Sequence, residues 1–271
     1  MVNKYKDKRI RYIKNEKNLG LTNSLINGIK NSKGKYIARL DAGNIALKDR
    51  LKIQYNFLEK NTNYYLIGSS FELIDEDDHT ICKVLAKNNL NYIKKNLPNY
   101  NCINHSTIMF RNEDRICYRS KFKYSQDYDF YLNLLSNNYT IGNIPEVLLK
   151  ERLMPSSITY AKRDKQSYFE NLAKQFYLER ESNGTDSYES LNITENLRVG
   201  VKESKGPIKK LVFYKQKIYY LLYSGRAKEA RIQAAKALKE GFDLKIYIYF
   251  LMSYFPALVR SYSRIKGLNY E

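Results

Sequence analysis

Apolar residues in the first part of the chain fall in short runs whose spacing switches between strand and helix. Arg9-Ile10-Arg11-Tyr12-Ile13 alternates as a half-buried strand does, and Leu19, Leu21, Leu25, Ile26 and Ile29 recur at helical spacing until Gly34. Lys35-Tyr36-Ile37-Ala38-Arg39-Leu40 reads as a buried strand that delivers Asp41 to the turn Ala42-Gly43-Asn44. Strand, helix and strand in that order predict a parallel sheet, with ligands expected outside the carboxyl ends of its strands. A helix is expected from Asp49 with Leu51, Tyr55 and Leu58 on one face, then strands over 64–69 and 71–75 and an acidic turn over 75–78. A short helix over 90–97 should end at Pro98, and Ser106-Thr107-Ile108-Met109-Phe110 is strand-like. Ser125 can cap a helix containing Phe130, Leu134 and Leu135, and closing strands are expected over 139–144 and 147–153 around Pro145. Beyond Ser157 the pattern turns helical, broken by a polar stretch at about 181–206. The pattern predicts an α/β domain over residues 1–160 and a helical region over 161–271, the latter with helices at 208–224, 227–238 and 244–255.

Composition narrows the partners. A chain of 271 residues with 43% hydrophobic content can bury a full core. Lys+Arg 47 against Asp+Glu 28 gives a formal charge of +19, which favours polyanions: nucleic acid, anionic lipid or phosphorylated ligands. From Lys205 onward 14 Lys/Arg face 4 Asp/Glu, a surplus of ten. The aromatic segment at 244–255, flanked by Arg260, Arg264 and Lys266, suits either an interfacial helix on anionic lipid or a bundle packed on the first domain. No DNA- or RNA-reading motif is present, so no specific nucleic-acid partner is expected. Cys82, Cys102 and Cys117 form no CxxC pair and no metal-ligand spacing, and read as packing residues in a reducing compartment. With no apolar leader after Met1 and no run of about 18 apolar residues, a cytoplasmic chain is expected, peripheral on the inner face of the membrane if the tail binds lipid.

Taken singly, the polar candidates have ordinary readings. Asn18 in Asn18-Leu19-Gly20 caps a helix, Asp127 and Asp129 sit in a first helical turn, and His105 is a hydrogen-bonded packing residue. Their order says more. Asn18-Leu19-Gly20, the run from Ser32 to Asn44, and Asp49-Arg50-Leu51 resemble the nucleotide-sugar half of family 2 glycosyltransferases. Leu66-Ile67-Gly68-Ser69 resembles the strand that follows there, and His105-Ser106-Thr107-Ile108-Met109-Phe110-Arg111 its acceptor-side strand. Ser125-Gln126-Asp127-Tyr128-Asp129 resembles the helix bearing the catalytic base, and Pro145-Glu146-Val147-Leu148-Leu149 with Arg152 and Ser156-Ser157-Ile158 the closing segment.

The resemblance covers about residues 9–160. It implies a GT-A-type, Rossmann-like, mostly parallel sheet, and inverting transfer of a sugar from a nucleotide-diphosphate donor to a glycan or lipid-linked acceptor. By this resemblance Asp127 is the catalytic base, Asn18, Gly20, Arg39 and Asp41 are donor-side residues, and His105, Ser106 and Arg152 lie towards the acceptor. Mg²⁺ or Mn²⁺ would sit at Asp41 with Asn44, although Gly43 stands where the D-x-D pattern has its second carboxylate. Gln126 replaces a usual Glu, and Met154 stands where the family often has His. The family's first strands have no counterpart before Arg9, so the sheet is expected to lack them. The alternative to an active enzyme is a silent remnant or a binding partner of a complete glycosyltransferase.

Overall fold

The computed structural model describes residues 6–113, 117–154, 163–192 and 206–265. The expected closing residues Ser156, Ser157 and Ile158, the boundary near residue 160, and the second half of the polar stretch lie outside them. Helix α1 (Gly20–Lys30) leads into strand β1 (Tyr36–Ala38), followed by β2 (Ile45–Ala46), α2 (Arg50–Lys60), β3 (Tyr64–Ile74) and β4 (Thr80–Val84). Then come α3 (Leu90–Asn96), a 3-10 turn (His105–Thr107), β5 (Met109–Arg111), α4 (Gln126–Ser136) and β6 (Thr140–Arg152). Among the described residues five helices follow: α5 (Arg163–Asn183), α6 (Gly206–Tyr223), α7 (Ala227–Glu240), α8 (Leu244–Met252) and α9 (Pro256–Ile265).

The fold is α/β with a helical C-terminal region, as the hydrophobic pattern implies, but its sheet is mixed. The strands run β1-β5-β3-β6-β2, with β4 also on β3. Only β3 and β6 pair in parallel; the other four pairings are antiparallel. Because β5 is antiparallel to both β1 and β3, the strands β1, β3 and β6 nevertheless share one direction. β3 is buried along almost its whole length, which explains its near-continuous apolar sequence.

Several local expectations are corrected. The Arg9–Ile13 alternation forms no strand; Ile10, Tyr12 and Ile13 are exposed. Ser106 and Thr107 belong to the 3-10 turn because Asn104 Oδ1 accepts the Ser106 N–H (2.9 Å) and the Thr107 hydroxyl donates to the Asn104 carbonyl (2.8 Å). The two closing strands are one, with irregular pairing opposite Ser69 and Ser70. Ser125 precedes α4 with φ +50° and makes no capping bond; its hydroxyl donates to the Gln166 carbonyl at 3.1 Å. β4, which the pattern did not suggest, carries Ile81 and Cys82 into the core.

Packing runs past residue 160. Phe169, Leu172, Ala173 and Phe176 of α5 share a core with Tyr65, Leu66, Phe110, Phe122 and Phe130. The start of the expected polar linker is also anchored: Tyr188 and Leu191 pack on that core, and Asp186 pairs with Arg119 and Arg180. Helices α6 to α9 form a second core with Phe71, Leu73, Ile81, Cys82, Leu149 and Leu153 at the far end of β3 and β6.

Candidate active site

β3 gives one edge to β6 over most of its length. Its other edge pairs first with β5, at Leu66 and Ile67, and then with β4, from Phe71 onward. Between those partners Ser69 and Ser70 have no strand beside them on that edge. The Ser69 N–H donates instead to Thr107 Oγ1 (3.0 Å), and the Ser70 hydroxyl accepts from the Ala86 N–H (2.9 Å). A cavity of about 810 Å³ opens at this gap. Its walls include Arg39, Asp41, Asn44, His105, Ser106, Asp127, Glu151 and Arg152. Thus seven of the residues selected from sequence share one cavity, and two do not. Asn18 and Gly20 are absent from its walls; the Asn18 side chain accepts the Gly20 N–H at 2.9 Å, and only the neighbouring Leu21 reaches the cavity.

Asp41 follows β1 directly. Its carboxylate is forked by Arg39, with one contact at 2.8 Å, and accepts the Ser106 hydroxyl at 2.5 Å. Arg39 is itself nearly buried. The turn after Asp41 passes through Gly43 at φ +91°, a left-handed conformation in which a side chain is strained. Glycine suits that backbone, and the position carries no second carboxylate. Asn44 donates to Ser106 Oγ at 2.9 Å, and its oxygen accepts the Arg152 N–H at 3.0 Å.

Arg152 works as a staple. Its guanidinium donates to the Gly43 carbonyl (3.1 Å), the Asp75 and Glu76 carbonyls (2.9 and 3.1 Å) and the Asp78 carboxylate (2.5 Å). It therefore ties the Asp41 turn to the β3–β4 turn. Arg50, 1% exposed, supports the same turn from behind by donating to the Arg39 carbonyl at 2.7 Å. Burial, with the Arg39 charge nearby, pushes the Arg50 guanidinium down to about 10.

Asp127, another cavity residue, lies in the first turn of α4 and accepts from Asn101 Nδ2 at 3.0 Å. Desolvation raises its carboxyl above the ordinary 3.8, against the opposing pull of backbone N–H groups and Arg39. His105 shares a 2.6 Å hydrogen bond with the Tyr118 hydroxyl, and its ring meets the edges of Tyr118 and Tyr131. Burial, reinforced by Arg39, holds the imidazole well below its usual range, hence neutral near pH 7. Asp129, the other first-turn carboxylate, is fully buried on Arg119 and faces away from this chemistry.

Glu151 is the site residue that sequence reasoning missed. It accepts from Asn104 Nδ2 at 2.5 Å, and burial, with the Asp41 charge adding to it, pushes its carboxyl up to about 7. Its alternation within β6 gave no signal, since Lys150, Glu151 and Arg152 read as a charged strand end.

As arranged, Asp41 and Asn44 do not fit a divalent cation. Of the four lone-pair directions of Asp41, Arg39 and Ser106 take three, and Asn44 Oδ1 already accepts from Arg152. Asp75, Asp77 and His79 bring ligand atoms within 4.8 Å of one another at the β3–β4 turn. Asp75 Oδ1 there accepts the Asp77 and His79 N–H groups, and these three residues do not line the cavity.

Residues 1–115 match the protein family described as Glycosyl transferase family 2. The chain is 37% identical over 163 residues to an uncharacterized glycosyltransferase, MJ1057, of Methanocaldococcus jannaschii, covering 59% of this chain and 56% of that one. It is 36% identical over 129 residues to the O-antigen biosynthesis glycosyltransferase WbnJ of Escherichia coli, covering 45% and 50%. With the amylovoran biosynthesis glycosyltransferase AmsE of Erwinia amylovora it shares 30% over 140 residues, covering 51% and 52%. The chain thus spans about half the length of these relatives.

Proposed function

We propose, from the match of residues 1–115 to glycosyl transferase family 2, that this chain transfers a sugar from a nucleotide-diphosphate donor to a hydroxyl of a glycan or lipid-linked acceptor. The names of WbnJ and AmsE point to surface polysaccharide as the product class. The observation that carries the reading is the gathering of Asp41, Arg39 and Asp127 around one cavity at a break in the sheet edge.

In this reading Asp127 takes the proton of the acceptor hydroxyl as its oxygen attacks the anomeric carbon from the face opposite the leaving group, which inverts that centre. Its raised basicity suits the role. The Asp41 turn holds the donor, and Arg39 sets positive charge where the departing diphosphate accumulates negative charge. Ser106 and Asn44 keep that turn in place, Arg152 anchors it, and neutral His105 shapes the acceptor side. No step is assigned to a metal ion, because the ligand set at Asp41 is already engaged.

The test is donor turnover by the purified chain across a panel of nucleotide sugars, with acceptor extracts supplied. Release of nucleotide diphosphate that falls by two orders of magnitude or more in Asp127→Asn is expected, the usual scale of a lost general base. Turnover unchanged in Asp127→Asn would remove the base assignment. Absence of donor binding by calorimetry would remove the transferase reading for this chain.

A further inference from the structure

The last two helices present an apolar face that no described element covers. α8 buries Ile246 and Tyr249 against α6 and α7. Its opposite face is apolar as well: Leu244 is 63% exposed, and Tyr247, Ile248 and Leu251 are exposed beside it. The row continues through the turn into α9, with Phe255 at 59% and Leu258 at 69%, and with Tyr254 and Tyr262 exposed alongside. Lys245 is the one charged residue in α8. A helix that is hydrophobic all round is normally enclosed, in a core or in lipid.

The charge on the residues that flank this face in sequence is one-sided. Glu240 and Asp243, the acids nearest in sequence, are held by Lys210 at 2.7 Å and Lys215 at 2.5 Å. Exposed Lys236, Lys239 and Arg260 have no carboxylate partner among the described residues. Leucine, isoleucine and phenylalanine on the face, tyrosines among them, and cations on α9 and at the end of α7 are the groups that a water–lipid boundary accommodates together. No helix among the described residues is long and apolar enough to cross a membrane. At nine residues α8 is about half the length needed to span a bilayer, so it would lie in the interface plane.

We infer that α8 and α9 form a docking surface for an anionic lipid bilayer, with the exposed apolar row entering the headgroup boundary and the free cations meeting lipid phosphates. The surface belongs to the same packed body as the cavity, since α6 joins the core containing Phe71 and Leu149. Docking would therefore hold the cavity at a fixed height above the membrane. The inference is independent of the sugar-transfer reading.

Co-flotation of the purified chain with vesicles of phosphatidylcholine, with and without phosphatidylglycerol, tests it. The chain is expected to float with the anionic vesicles and to dissociate as salt is raised. The double variant Leu251→Asp, Phe255→Asp should lower the partition coefficient about tenfold or more, with an unchanged circular dichroism spectrum. The double variant Lys236→Glu, Lys239→Glu replaces only exposed residues and should lower it at least about tenfold through charge alone. No flotation of the parent chain with anionic vesicles overturns the inference. So does equal flotation of parent and both variants, or a parent dimer that the Asp variants convert to monomer without any vesicle binding.

Discussion

Glu151→Gln isolates a cavity carboxyl that, like Asp127, is hydrogen-bonded by a neutral amide and not by a cation. Its pKa lies at about 7 in the folded chain against an ordinary 4.5, because burial, with Asp41 near by, outweighs the Asn104 hydrogen bond and the Arg39 charge that lower it. That difference corresponds to about 3 kcal/mol between its protonation states. The carboxyl looks into a cavity that admits water, so roughly half that figure, about 1–2 kcal/mol, is the working expectation. The sign follows from proton uptake. Between about pH 4.5 and pH 7 the folded chain binds more protons at this position than the unfolded chain, so the stability held below that window is lost as pH rises through it. Glutamine stays neutral and can still accept from Asn104, so it removes this pH dependence.

Urea unfolding at a series of pH values, in parent and variant, measures it. The two proteins should be equally stable near the acid end of the window, and the Gln variant should be more stable by about 1–2 kcal/mol above pH 8. Asp127, which also titrates high, contributes equally to both and cancels in the difference. Parallel pH profiles would refute the assignment of a raised pKa to Glu151. A variant less stable than the parent above pH 8 would show that the carboxylate is compensated there by a cation or a second donor.

Three further outcomes follow from the geometry. Gly68→Ala places a Cβ 2.4 Å from Asn143 Oδ1 and 3.1 Å from Thr107 Oγ1, and should destabilise by about 1–3 kcal/mol in denaturant midpoint; a neutral effect would show that Asn143 can leave its bonds to the Lys87 and Cys102 carbonyls. Asp129→Ala leaves Arg119 without the fully buried half of its ion pair and should cost about 3–5 kcal/mol by the same assay, whereas a cost below about 1 kcal/mol would mean that Asp186 alone suffices. Arg39→Met frees the oxygens of Asp41, so Mn²⁺ titrated by calorimetry should bind the variant about tenfold more tightly than the parent; equal affinity would count against the Arg39–Asp41 pair as the reason the ligand set does not fit.

What sequence made legible was local. Asp41 and Asp127 each sit at the end of a short element whose pattern marks that end: a turn after β1, and the first turn of α4. What it concealed depends on contacts between distant segments. Glu151 meets Asn104 across 47 positions, and Arg152 reaches Gly43 across 109. Thr107 looked like strand because it is β-branched and followed by Ile108, yet Asn104 bends the chain there with side-chain bonds that compete with sheet pairing. β4 escaped because its Thr80 and Lys83 face solvent and only Ile81 and Cys82 are buried. The Arg9–Ile13 alternation misled for the converse reason: a period of two earns a strand only where a neighbouring strand can take its hydrogen bonds.

The same logic explains why the cavity lies where it does. An antiparallel partner could have followed β3 along its whole free edge, but β5 is three residues long and β4 ends opposite Phe71. Ser69 and Ser70 are left to side chains, and small polar residues there let Thr107 and Ala86 supply the missing partners. Each compensating group comes from a loop that also carries a cavity wall: Thr107 from the turn bearing His105 and Ser106, Ala86 from the segment after β4. Replacing Ser69 by a large apolar residue would therefore disturb the site through those loops, although Ser69 contributes no titratable group to it. The interrupted sheet edge is thus the physical origin of the site.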